Sequence, residues 1–111
     1  MSHARWKLHR QGKLGEGHSE AVDVVAERAE IRLAMAFAKA VYDRRQELGL
    51  TQSELAERAG LNQAKISRIE GADSVPTLPL LRRLASAMDA SLSIALDADH
   101  EQVTFTAHDA A

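Results

Sequence analysis

Residues 51–71, TQSELAERAGLNQAKISRIEG, leave the backbone little latitude. Thr51 stands three residues ahead of Glu54, the spacing of a capping box in which each side chain satisfies a free backbone amide at a helix start. Leu55, Ala56 and Ala59 follow as an apolar stripe at helical spacing. Gly60 falls where that helix must stop and the chain must turn with positive φ, which a residue lacking Cβ tolerates. Asn62 can cap a second helix, and Ile66 and Ile69 point its apolar side back onto the first. Ala56 lies on the face that meets this second helix near Ile66, where a bulky side chain would hold the two apart. The stretch therefore predicts two short helices joined by a tight turn.

Gln63, Ala64, Lys65, Ser67 and Arg68 remain on the outward side of the second helix. Such side chains hydrogen-bond base edges and phosphates: Gln suits adenine, and Arg or Lys suits the O6/N7 pair of guanine. A plain helical hairpin would need the apolar stripe, the glycine and the caps equally. It would not need Gln52, Gln63 and Arg68 together on the outward side. The spacing thus points to a helix offered to the major groove of double-stranded DNA, with Thr51, Gln52, Asn62, Gln63, Ala64, Lys65, Ser67 and Arg68 as the candidate contact residues.

The formal net charge of −2 does not favour a polyanionic partner, but its distribution is uneven. Arg5, Lys7, Arg10 and Lys13 make the first thirteen residues basic with no acid among them, while Asp89, Asp97, Asp99, Glu101 and Asp109 occupy a C-terminal stretch free of Lys and Arg. A phosphate backbone would meet only one side of such a chain. The low overall charge implies weak non-specific binding, so useful affinity calls for a homodimer. At 111 residues the chain has room for one modest core, and it contains no cysteine for a disulfide or thiolate metal site, which fits a cytoplasmic location. No apolar run approaches a membrane span, and residues 1–13 lack the apolar segment of a secretory signal.

Outside the central motif the pattern changes twice. From Ser19 to Leu48 there is neither Gly nor Pro, and Val22, Val25, Ala29, Leu33, Phe37 and Val41 recur at three- and four-residue steps. This is an amphipathic helix, and the sequence leaves open whether 19–48 is one rod or two. Thr77 to Met88 reads as a further helix capped by Thr77, with Leu78, Leu81, Leu84, Ala85 and Met88 on its apolar side, Pro79 tolerated in its first turn, and Arg82 and Arg83 on its exposed flank, read as solvated charges with phosphate contact as the alternative. After Asp89 the period becomes two: Leu92, Ile94 and Leu96, then Val103 and Phe105, share one face of an expected β-hairpin turning at Ala98–Glu101. A lone hairpin is marginal in water, and an open strand edge invites a second chain, so these five apolar residues are the expected dimer contact.

The central segment resembles the helix-turn-helix of the lambda-repressor-like, xenobiotic-response-element family of bacterial and phage regulators. The likeness extends back to Arg45 and the Leu48-Gly49-Leu50-Thr51-Gln52 run, and forward through Pro76 to Met88. It implies a mainly α fold with a lambda-repressor-like helical domain over residues 19–88; the residue patterns add a basic N-terminal arm over 1–18, an N-terminal helical extension that the family unit does not require, and a C-terminal β-hairpin and acidic tail over 89–111. It further implies an ion pair between Arg45 and Glu70, and a Gln52 side chain that braces both the DNA backbone and Gln63. The helical extension and strand pair are also similar to HigA-type antitoxins, which repress their own promoter and mask a ribonuclease-type toxin. The resemblance therefore implies a sequence-specific repressor binding an operator, paired with such a toxin; a stand-alone regulator or an interaction module with secondary DNA binding are the alternatives.

Other signals carry little. His3, His9, His18, His100 and His108 show no metal-ligand spacing, and Asp97, Asp99 and Glu101 lack the glycine and closing carboxylate of a calcium loop. No Ser/His/Asp or paired-carboxylate set is tied to a glycine elbow. The expectation is therefore a non-enzymatic protein with no metal and no cofactor. Trp6 is expected to anchor the basic arm by packing. The operator sequence, the dimer geometry and the identity of any toxin are not encoded in the pattern.

Overall fold

The computed structural model describes residues 16–108, with side chains from residue 24 onward. The expected basic arm with Trp6, the side chain of Val22 and the acidic end at Asp109 lie outside the described residues. The helices are α1 (Glu16–Glu47), α2 (Gln52–Ala59), α3 (Gln63–Glu70) and α4 (Leu78–Ala87), followed by strands β1 (Ala90–Leu96) and β2 (Glu101–Ala107). The question left open over 19–48 is settled as one helix: with no Gly or Pro between Ser19 and Leu48 to break it, that stretch belongs to α1, which runs for 32 residues from Glu16. The chain divides into two compact units, one ending at Glu30 and the other starting at Ile31. The second unit holds the helix-turn-helix, α4 and the hairpin.

Each short helix starts and stops where its residues dictate. Thr51 Oγ1 accepts from the Glu54 amide at 3.0 Å, and the Thr51 amide donates to Glu54 Oε1 at 2.8 Å, closing the capping box. Gly60 sits at φ 70° and ends α2, its amide reaching back to Ala56 and Glu57. Asn62 Oδ1 accepts from the Lys65 amide and Thr77 Oγ1 from the Leu80 amide, capping α3 and α4.

The core of the second unit gathers Phe37 and Val41 from α1, Leu55, Ala56 and Ala59 from α2, Ile66 and Ile69 from α3, and Leu81, Leu84 and Met88 at α4. Fully burying one such aliphatic side chain contributes about 1.5–3 kcal/mol. The apolar side of α4 differs from expectation at one end: Leu80 is buried while Leu78 is 74% exposed. At 100° per residue the buried arc centres on Leu84, which brings Leu80 within it and leaves Leu78 beyond its edge.

Asp89, at φ 50°, turns the chain from α4 into β1. Arg44, a buried side chain near the end of α1, fixes this corner. Its Nη2 and Nε donate to the Met88 carbonyl at 2.8 and 3.1 Å, satisfying an acceptor that the end of α4 leaves unpaired. The strands pair antiparallel in the register Leu92↔Phe105 and Ile94↔Val103. The turn is one residue earlier than expected: the Asp97 amide donates to the His100 carbonyl, and Glu101 already pairs with Leu96 in the ladder. Glu101 is drawn into the strand because its carboxylate meets Arg32 of α1, Nε to Oε1 at 2.8 Å.

Candidate nucleic-acid interface

The hydrogen-bond chain at the junction of α1, α2 and α3 starts from a buried ion pair. Arg45 Nε and Nη2 donate to the two carboxylate oxygens of Glu70 at 2.7 and 2.9 Å, a fork-to-fork pair with both side chains less than a tenth exposed. Arg45 Nη1 donates to the Leu50 carbonyl, and its guanidinium lies 5.2 Å from the centroid of the Tyr42 ring. The hydrogen bond to Glu70 holds the guanidinium above its ordinary pKa, against an opposing effect of burial. The end of α3 is thereby tied to the end of α1.

Gln52 extends this pair to the surface. Its Nε2 donates to Glu70 Oε1 at 3.1 Å, and its Oε1 accepts from Gln63 Nε2 at 2.6 Å. The ionised Glu70 carboxylate can only accept, so Gln52 must turn its NH2 inward and its oxygen outward. That polarity in turn makes Gln63 give one N–H to Gln52. Gln63 keeps its carbonyl oxygen and second N–H for another partner, a donor-acceptor couple matching the N6/N7 edge of adenine.

Around Gln63 the outward face of α3 is set as its spacing predicts. Ala64, Ser67 and Arg68 are exposed and Lys65 is half-buried along its stem. Neither Lys65 nor Arg68 has an ion-pair partner among the described residues. Thr51 and Asn62 are exposed, but their side-chain oxygens are engaged in capping. At the start of α2, the Gln52 and Ser53 amides have no acceptor within the helix and stand beside this face.

Arg83 is exposed, as expected of a charge on the flank of α4, and its Nη2 also donates to the Gly60 carbonyl in the turn between α2 and α3, at 3.3 Å. The Arg44 cap on α4 was not foreseen. The only sequence hint was a pair of arginines closing a helix that needed one for Glu70. The five hairpin residues expected at a dimer contact are divided by the fold. Leu92, Val103 and Phe105 pack partly buried on the core, while Ile94 and Leu96 are 38% and 60% exposed toward the hairpin turn.

Known proteins are similar to this chain in sequence. A helix-turn-helix family model matches residues 41–94, from the last turns of α1 into β1. An uncharacterised HTH-type transcriptional regulator of Haemophilus influenzae is 31% identical over 90 residues, which cover 78% of this chain and 92% of that protein. Another, of Methanothermobacter thermautotrophicus, is 44% identical over 48 residues, or 43% of this chain and 70% of that protein. With the capped helix pair, the turn at Gly60 and the Arg45–Glu70 tie all in place, the chain belongs to the lambda-repressor-like helix-turn-helix family.

Proposed function

We propose that this protein is a sequence-specific DNA-binding transcriptional repressor that acts as a homodimer. The observation that carries the reading is the chain from Arg45 through Glu70 and Gln52 to Gln63, which pre-orients an exposed amide on α3. In this reading α3 lies in the major groove, where Gln63, Lys65 and Arg68 meet base edges or adjoining phosphates and Ala64 and Ser67 allow close approach. Thr51, Gln52 and Asn62 border the DNA backbone, and the amide end of α2 receives a phosphate through its free N–H groups and dipole. Two subunits joined through the hairpin edge would address half-sites about 34 Å apart. The test is to titrate Gln63→Ala and Arg68→Ala variants against a duplex selected by the wild-type chain. Each should lose about 1–3 kcal/mol of specific binding with the fold unchanged. Equal affinity of variant and wild type would reject the assignment.

A second reading adds to the first. α1 begins 25 residues ahead of the family match, and Ile31 and Met35 on it are each more than half exposed. Such apolar side chains on an added helix suit a protein partner, which supports an antitoxin that masks a ribonuclease-type toxin and autoregulates its operon. Co-expression with the product of the neighbouring reading frame tests this. A complex lost on Met35→Lys substitution supports it, and separate elution of the two chains counts against it.

A further inference from the structure

Between α3, the 71–77 loop and the start of α4 lies a cleft of about 390 Å³, within the range of small-ligand sites. Its lining has two chemically distinct parts. Lys65, Arg68 and Arg83 contribute three cations, and Asp73 the only carboxylate. None of the four has an ion-pair partner among the described residues. Leu61, Val75 and Pro76 are among the apolar groups completing the wall.

An excess of two positive charges in a partly enclosed cleft favours an anion. A bare inorganic ion would leave the apolar wall facing water. An organic anion would use both parts, its carboxylate among the guanidinium and ammonium groups and its apolar body against Leu61 and Val75. We infer that this cleft binds a small organic anion with an aromatic or branched apolar body, and that such a ligand releases the protein from DNA. The second half rests on the proposed function, because Lys65 and Arg68 would then be shared between the ligand and the operator. Occupancy of the cleft draws both cations off the nucleic acid, so the helix-turn-helix unit itself would respond to a metabolite.

The probe is naphthoate, with naphthamide as its uncharged isostere and inorganic phosphate as the bare anion. Each is titrated into the full-length, isotope-labelled chain and followed by amide chemical shifts. Naphthoate should give saturable shifts confined to residues 61–83, naphthamide should give none, and phosphate should bind about tenfold more weakly or less. Arg83→Gln should weaken naphthoate about tenfold, and Asp73→Asn should strengthen it. Operator affinity of the wild type should fall as naphthoate rises, and that of Arg83→Gln should barely respond.

Equal shifts with naphthamide, an equal response to phosphate, or no saturation by naphthoate would each overturn the site. Saturable binding with no effect on an otherwise intact operator complex would overturn the regulatory half. A chain that binds naphthoate in the cleft but no duplex at all would keep the site and reject the DNA reading instead.

Discussion

Glu70 accepts from three donors at once, two on Arg45 and one on Gln52, while less than a tenth of its side chain is exposed. Removing it strands a buried guanidinium, and breaking such a pair from one side typically costs about 3–5 kcal/mol. Glu70→Ala should lower stability in urea by about that amount. Replacing Arg45 and Glu70 together with methionine should recover a large part of it, because no charge is then left buried. A loss below about 1 kcal/mol for Glu70→Ala would show the pair to be no more than a surface contact. The pH dependence follows from the raised Arg45 value. A cation held above its unfolded pKa contributes fully below that pKa and loses its contribution as pH climbs through the folded one, so the arginine side of the pair stays intact across neutral pH.

α2 and α3 meet across Ala56 and Ile66, 3% and 0% exposed, and this close approach sets the angle at which α3 is offered to solvent. Ala56→Leu should cost about 1–3 kcal/mol by overpacking and should also misplace Gln63. Thermal melts paired with the chemical shift of the Gln63 side-chain amide read both effects, and an unchanged melt would contradict the packing described. The sequence revealed most of this element. Caps, stop glycine and apolar stripe are local rules, so Thr51, Glu54, Gly60, Asn62 and Ile66 could be placed without knowing the rest of the fold. What it hid depended on long-range geometry. Leu80 rather than Leu78 is buried because the neighbours of α4 set the centre of its buried arc. Arg44 and Arg83 both find backbone carbonyls, and their sequence neighbours do not say which carbonyls lie within reach. Glu101 joined the strand because Arg32, sixty-nine residues earlier, faces it.

At the scale of the whole molecule, the hairpin covers one side of the core with Leu92, Val103 and Phe105 and leaves Ile94 and Leu96 toward solvent. If the strand edge joins two subunits, Leu96→Lys should shift the chain toward monomer in sedimentation velocity without lowering its melting temperature. An unchanged sedimentation coefficient would move the dimer contact elsewhere. Among the described residues no helix is long and apolar enough to cross a membrane, and the free cations on and beside α3 contrast with the strand pair, which carries no lysine or arginine. α3 and the strand pair therefore differ in the charges they carry as well as in secondary structure, and the proposed DNA face is the one with the cations.

The most direct measurement is a fluorescence-anisotropy titration of the chain against the DNA upstream of its own reading frame, repeated over a range of salt and in excess random duplex. The account predicts a saturable complex that survives the competitor, with log affinity falling linearly as log salt rises. A complex displaced by random duplex as readily as by its own sequence, or no complex at low salt, would contradict it.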